Sequence, residues 1–146
     1  MEQRVDFYKA SPEVLKGMIA LENVVGKLGL ETSLLELVRL RVSLINGCAF
    51  CVDMHTTDAR KAGETERRLY AVPVWRETPF FTERERAALA WSESLTLISQ
   101  TGAPDEDYAL VRAQFTDAEL VNLTLAINTI NAWNRFAIGF RKMPVA

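Results

Sequence analysis

The segment Ser33–Gly63 reads SLLELVRLRVSLINGCAFCVDMHTTDARKAG. Its helix-capping and helix-breaking residues predict two helices joined by a sharp turn. Ser33 and Glu36 have the spacing of a capping box, in which the side chains of the first turn satisfy its free amide groups. The apolar periodicity that follows is typical of a helix and is interrupted at Asn46–Gly47. A second helix is expected to begin near Cys48 and to run to Gly63.

The rest of the chain carries start signals of the same kind. Serine, threonine or aspartate at an N-cap, with proline or a glutamate three residues later in several cases, predicts helices that begin near Ser11, Thr65, Thr82, Asp105 and Thr116. No segment shows the alternation of a strand, and there is no repeat or linker. The sequence therefore predicts one all-α domain over residues 1–146, with about six or seven helices.

The composition excludes several classes of protein. Hydrophobic residues make up 49% of the chain and charged residues 25%, as in globular domains, and the net charge is -2, with 19 acidic and 17 basic residues. No nucleic-acid partner is expected, because there is no basic excess or basic block. No membrane association is expected either, because no secretory-type start or long apolar run occurs. We therefore expect a cytoplasmic protein, in which two close cysteines indicate redox chemistry or metal binding.

The last predicted helix is apolar around most of its circumference, yet Asn128, Asn131 and Asn134 recur along it at every third residue. Buried amides require hydrogen-bond partners. One interpretation is that these side chains bond to neighbouring backbone or to a symmetry-related subunit. The other is that Asn131, Asn134 and Arg135 line a substrate pocket.

The two cysteines of the chain, Cys48 and Cys51, and its single histidine, His55, fall within eight residues. On a helix these three side chains share one face, and His55 lies directly over Cys51. The free amides of a helix N-terminus favour a thiolate, which is the reactive form of cysteine. An imidazole at this position can accept the Cys51 proton. Asp58, three residues later, is expected to orient the imidazole ring.

Glu36 is the candidate acid on the preceding helix. If the two helices fold back at the turn, its carboxyl group approaches the thiols and can serve as a proton relay. Ser43, two turns later, is expected on the same face as a supporting residue. The capping-box position of Glu36 offers a purely structural interpretation, and the spacing alone does not separate the two.

A zinc site is the main rival for these residues. Two cysteines and a histidine supply three ligands, and Glu36 or water would supply the fourth. Structural zinc usually draws its ligands from separated segments, whereas three of these lie on one helix. We therefore expect neither a metal ion nor a cofactor.

The motif Glu36, Cys48-x-x-Cys51-x-x-x-His55 resembles the active-site motif of the AhpD-like alkylhydroperoxidases, within the carboxymuconolactone decarboxylase superfamily. The surrounding LLELVRLRVSLINGCAFCVDMHTTDARKAGE and the later INAWNR are similar as well, so the resemblance extends from about Ser11 to Phe140. It implies an all-α fold and assembly into trimers or hexamers.

The resemblance also implies roles for the motif residues. Cys51 would attack the peroxide, and its sulfenic acid would condense with Cys48 to give a disulfide. His55 and Glu36 would form the proton relay. A lipoylated or thioredoxin-like protein would then reduce the disulfide.

Phe50 departs from the pattern, because the best-known peroxidases of the family carry a second histidine at that position. Thiol–disulfide chemistry survives the change, whereas the peroxidase relay loses one member. The sequence thus favours a reductase of organic hydroperoxides, with a redox sensor or dithiol exchange module of the same family as the alternative. A decarboxylase-like enzyme is a third interpretation.

Overall fold

Two helices joined at Gly47 form the centre of the structure, a computed structural model that describes residues 1–146. The first helix, α3, spans Thr32–Asn46, and the next, α4, spans Ala49–Lys61. Gly47 ends α3 in the left-handed conformation, with a φ of 74°, which glycine adopts without strain. The turn that the sequence predicted at this point is therefore confirmed, and it lets α4 fold back against α3.

Nine α-helices and one 3₁₀ segment account for the regular structure, and no strand occurs. Besides α3 and α4, the elements are α1 (Phe7–Ala10), α2 (Pro12–Lys27), α5 (Glu66–Ala71), the 3₁₀ segment (Val72–Glu77), α6 (Glu83–Thr96), α7 (Ile98–Thr101), α8 (Asp105–Gln114) and α9 (Asp117–Phe140). The prediction of an all-α fold is confirmed, but the predicted number of six or seven helices was too low. The single-turn helices α1 and α7 are too short to show a helical period in the sequence.

Helix α3 is the most enclosed element of the fold. All residues from Leu34 to Val38 are buried, because α4, α6 and α9 pack against different sides of this helix. The larger apolar core joins α3 to α2, α6, α8 and α9, and a second core joins α3 to α4, α5 and the 3₁₀ segment. Burial on all sides explains why this stretch is apolar in every direction rather than along one face.

The helix starts show which capping predictions were right. Thr82 and Glu85 form a capping box at α6, and Thr116 and Glu119 form one at α9, as the sequence predicted. The box predicted at Ser33 is absent, because the N-cap of α3 lies two residues earlier, at Glu31. Glu36 is therefore not a capping residue, and this removes its purely structural interpretation.

No helix combines the length and the apolar character that a membrane span requires.

Candidate active site

A cavity of about 290 Å³ opens beside Cys51 between α1, α2, α3, α4 and α9. One part of its wall is apolar and aromatic, and the other part carries charged groups. The apolar lining comprises Phe7, Tyr8, Phe50, Met54, Trp133 and Ala137, and the polar lining comprises Glu22, Glu36, Arg39, His55 and Asp58. The sequence thus places a sulfur, an imidazole and a buried carboxylate in one enclosure of the size of a small organic molecule.

Cys48 and Cys51 lie at disulfide-bonding distance, with their Cα atoms 5.3 Å apart. Both residues are almost fully buried. Cys48 is the N-cap of α4, and its sulfur accepts a hydrogen bond of 3.3 Å from the backbone amide of Cys51. The amides at this helix end therefore serve the Cys48 sulfur, while Cys51 faces the cavity.

His55 and Glu36 form a buried hydrogen-bonded pair that joins α4 to α3. His55 Nδ1 lies 3.0 Å from Glu36 Oε2. Since an ionised carboxylate only accepts hydrogen bonds, the neutral tautomer of His55 that fits this pair carries its proton on Nδ1 and has its lone pair on Nε2. His55 lies one helical turn beyond Cys51, so this tautomer suits it to accept the thiol proton.

A chain of charged contacts continues behind Glu36. Arg39 donates from Nη1 to Glu36 Oε1 at 2.9 Å and from Nη2 to Glu22 Oε2 at 3.0 Å. The other carboxylate oxygen of Glu22 accepts a hydrogen bond of 2.9 Å from Trp133 Nε1. Four helices, α2, α3, α4 and α9, thus fix the position of one imidazole through a single network.

The network keeps Glu36 ionised. Burial raises the pKa of this carboxyl group, but the hydrogen bonds of His55 and Arg39, the positive charge of Arg39 and that of His55 in its protonated form together outweigh burial and hold the pKa below its ordinary value. Glu36 is therefore a carboxylate near neutral pH, and it can stabilise an imidazolium that forms when His55 takes up a proton.

Neither of the two supporting residues predicted from spacing, Asp58 and Ser43, forms a hydrogen bond with His55. Asp58 is exposed at the wall of the cavity and makes no hydrogen bond to His55, whose ring Glu36 holds instead. Ser43 is fully buried and accepts a hydrogen bond from Asn134 Nδ2 at 3.1 Å. Ser43 therefore faces α9, which packs against α3.

The asparagines of α9 lie away from the cavity that Cys51 lines. Asn131 and Asn134 are buried and both accept hydrogen bonds of 2.9 Å from Asn46 Nδ2, which ties α9 to the end of α3. Arg135 is exposed and donates to the Asn131 carbonyl, and Asn128 is exposed too. None of these residues lines the cavity, whereas Phe50, the remaining pocket candidate, does.

Glu22, Arg39 and Trp133 are site residues that the sequence analysis missed. Glu22 carried a usable signal, since it falls between Met18 and Val25 on the buried side of α2, where a carboxylate requires a partner. Arg39 follows Glu36 by three residues, the spacing of a helical ion pair.

The zinc alternative has no support in the geometry. No group of three or more histidine, cysteine, aspartate and glutamate side chains has an arrangement that could hold a metal ion.

Comparison with known proteins agrees with the geometry. The model of the carboxymuconolactone decarboxylase family matches residues 12–94. YdfG of Bacillus subtilis (strain 168), an uncharacterized protein, is 46% identical over 139 residues, which are 95% of this chain and 95% of its own. The alkyl hydroperoxide reductase AhpD of Hyphomonas neptunium (strain ATCC 15444) is 45% identical over 49 residues, which are 34% of this chain and 27% of its own.

A solved structure matches the whole fold. It is a protein of unknown function from Agrobacterium tumefaciens for which the role of the antioxidant defence protein AhpD has been suggested. It superposes with a TM-score of 0.97 at 49% identity and covers 99% of this chain and 100% of its own. Because the family model spans more than half of the sequence and the fold agrees throughout, the chain belongs to the carboxymuconolactone decarboxylase family, as an AhpD-like member.

Proposed function

We propose that the protein is a thiol-dependent reductase of organic hydroperoxides. The observation that supports this most directly is the buried His55–Glu36 pair, which sits one helical turn from Cys51 in the wall of the same cavity. Activation of a cysteine nucleophile requires a base next to the thiol and an ionised carboxylate next to the base.

The reaction has two steps in this proposal. His55 takes the thiol proton, the Cys51 thiolate attacks the terminal peroxide oxygen, and the O–O bond breaks to give a sulfenic acid on Cys51. The alkoxide leaves with the proton from His55 as an alcohol. The Cys48 thiol then attacks the sulfenic acid sulfur, which releases water and forms the disulfide. Two electrons pass from the cysteine pair to the peroxide, and a dithiol protein returns them.

The cavity wall favours an organic peroxide over hydrogen peroxide. Six of its lining residues are apolar or aromatic, and they present carbon surface to the carbon part of a substrate. A rate constant with cumene hydroperoxide above that with hydrogen peroxide is the expected result.

The proposal is tested by intact mass and thiol counting after reduced protein meets a slight excess of cumene hydroperoxide. We expect both thiols to disappear within seconds, with loss of two hydrogens and conversion of the peroxide to its alcohol. Cys51→Ser should abolish peroxide consumption. Cys48→Ser should instead retain one turnover and trap a sulfenic acid on Cys51. Equal residual activity in both variants would contradict the proposed roles.

A second candidate function is dithiol–disulfide exchange without rapid peroxide reduction. Phe50 favours it, since an apolar ring occupies the position where the resembling peroxidases carry a histidine. Thiols that persist for minutes in the presence of peroxide would support this function. Phe50→His should then increase the rate with peroxide by about tenfold, as an added proton-transfer group does.

Assembly into a trimer or hexamer is also part of the proposal. Four large apolar side chains of helix α2, those of Val14, Ile19, Leu21 and Val24, are exposed on the single chain. Exposed apolar side chains in this number on one helix suit a contact between identical subunits. The molar mass in solution, measured by light scattering, tests it.

A further inference from the structure

A second depression lies on the other side of the disulfide, where Cys48 rather than Cys51 contributes to the wall. This groove has a volume of about 350 Å³ and is formed by the start of α4, the end of α9 and both ends of the chain. Ala137 lines both the groove and the cavity. The two depressions therefore approach the cysteine pair from two different directions.

The groove is positively charged although the chain as a whole is acidic. Its ten lining residues include Arg4, Arg141 and Lys142 and no carboxylate, while the net charge of the protein is -2. The cavity on the Cys51 side has the opposite balance, with Glu22, Glu36 and Asp58 against Arg39. An anionic partner is thus repelled from one side of the disulfide and attracted to the other.

Only some of the cationic side chains in the groove form a hydrogen bond or an ion pair within the chain. Arg4 donates to the Gly139 carbonyl at 3.1 Å, where a cation suits the carboxyl end of α9. Arg141 and Lys142 form no ion pair with any carboxylate. The Lys142 ammonium lies 4.6 Å from the Tyr8 ring centroid and 5.2 Å from that of Phe50.

The groove also offers apolar surface around these charges. Ile138 and Met143 are exposed there, and methionine adapts to partners of different shape. Apolar area surrounded by charges of one sign is the pattern of a protein-docking site, in which the charges select the partner and the apolar area holds it.

We infer that the groove is the docking site of the reductant, a dithiol protein with an acidic surface around its thiols, and that this partner attacks Cys48. Thiolate attack at a disulfide is collinear with the S–S bond, so a nucleophile arriving from the groove meets the Cys48 sulfur and expels Cys51 toward the cavity and His55. The Cys51 thiolate is protonated there. The second thiol of the partner then attacks the partner sulfur of the mixed disulfide, which releases Cys48 as a thiolate and leaves the partner oxidised by two electrons.

This inference rests on the proposed dithiol–disulfide cycle, but its test does not require peroxide. The protein is oxidised with diamide and mixed with synthetic peptides that contain two cysteines flanked by glutamates, glutamines or lysines. We expect the acidic peptide to reduce the disulfide about tenfold faster than the basic one at low ionic strength. The advantage should vanish at high salt and in the variant Arg141→Gln/Lys142→Gln. That variant should react with dithiothreitol at the wild-type rate.

The matched control is Lys27→Gln/Lys61→Gln, which makes the same change in net charge with two exposed lysines outside the groove. It should keep the preference for the acidic peptide. Equal rates for the acidic and basic peptides with wild-type protein would overturn the inference. So would a lower oligomeric mass of the groove variant in light scattering, because a second copy would then occupy the groove.

A separate experiment, with an acidic peptide that has one cysteine, identifies which sulfur atom of the disulfide is attacked. The expected product, quenched early and analysed by peptide mapping, carries the peptide on Cys48 and a free thiol on Cys51. A peptide found on Cys51 would overturn the inference. Because the disulfide is made with diamide, failure of peroxide reduction leaves both results interpretable.

Discussion

The Trp133 indole donates a hydrogen bond of 2.9 Å to the Glu22 carboxylate across 111 residues of sequence. This contact joins α9 to α2 behind the cavity and closes the network that runs through Arg39 and Glu36 to His55. Trp133 also lines the cavity with its ring. One side chain thus shapes the space for a substrate and secures the charges that position the imidazole.

Loss of the indole N–H should therefore weaken the network without emptying the cavity wall. We expect Trp133→Phe to lower the free energy of unfolding by about 1.5–3 kcal/mol, the usual cost of removing a hydrogen bond to a charged acceptor. Urea unfolding measures it. Trp91→Phe is the comparison, because Trp91 donates to the neutral hydroxyl of Thr124, and it should cost less. A larger loss for Trp91→Phe would contradict this reasoning.

Removal of the carboxylate charge at Glu36 should slow oxidation of the thiols. In Glu36→Gln the side-chain volume is kept, but no anion stabilises an imidazolium on His55. We expect the rate constant with cumene hydroperoxide to fall about 10- to 100-fold at neutral pH, within the range of general acid–base effects. Stopped-flow tryptophan fluorescence measures this rate.

Glu93→Gln is the matched control for that variant. Glu93 is ion-paired to Arg41 and Arg76, and its side chain is 14% exposed, close to the 10% of Glu36, but it lies outside the cavity. It should lose stability and retain the wild-type rate with peroxide. If both variants slowed the reaction equally, the effect would be one of general stability and the relay role of Glu36 would be lost.

Arg39 should determine the pH below which Glu36 becomes protonated and the proton relay stops working. Its guanidinium is one of the groups that hold the pKa of Glu36 low, so Arg39→Met is expected to raise that pKa. The acid limb of the pH–rate profile should move to higher pH. Arg41→Met is the control, since Arg41 follows by two residues in α3 but pairs with Glu93. An unchanged acid limb in Arg39→Met would show that Arg39 only supports the fold.

Acid should destabilise the protein partly through Glu93. Burial raises the pKa of this carboxyl group, but hydrogen bonds from Trp75 and Arg76 and the charge of Arg41 outweigh it and lower the pKa in the folded state. As pH falls, the unfolded chain therefore binds the proton first. The stabilisation is complete above the ordinary glutamate pKa of about 4.3 and is lost as pH falls through the folded pKa.

Urea titrations from neutral to acidic pH test this stabilisation. The free energy of unfolding of Glu93→Gln should be lower than that of wild type near neutral pH and should decline less steeply in acid. Parallel curves for the two proteins would show that Glu93 contributes nothing to the acid dependence.

Local signals in the sequence predicted most of the helices, and distant contacts explain where prediction failed. The boxes at Thr82 and Thr116 are satisfied by residues three positions away, so sequence alone revealed them. The same spacing at Ser33 misled, because α3 begins at Thr32 and Glu36 turns to His55 on another helix. Spacing in the sequence shows which residues can reach one another, and tertiary packing determines which of these residues form contacts.

The candidate site divides in the same way. Cys48, Cys51 and His55 share one short helix, so their proximity follows from helical geometry. The pairing of Asn131 and Asn134 with Asn46 spans 85 and 88 residues, which no local rule could reveal. Buried amides at regular spacing resemble a pocket lining and a helix-to-helix contact equally well until the neighbouring helix is placed.

Cys51 and Cys48 contribute to the walls of different depressions, and this arrangement has a consequence for kinetics. Oxidant and reductant would approach by separate routes, so neither would have to leave before the other arrives. Turnover should then follow a ping-pong scheme, with parallel lines in double-reciprocal plots and no inhibition of one substrate by excess of the other. Saturation of such an enzyme with peroxide would then leave the rate of disulfide reduction unchanged.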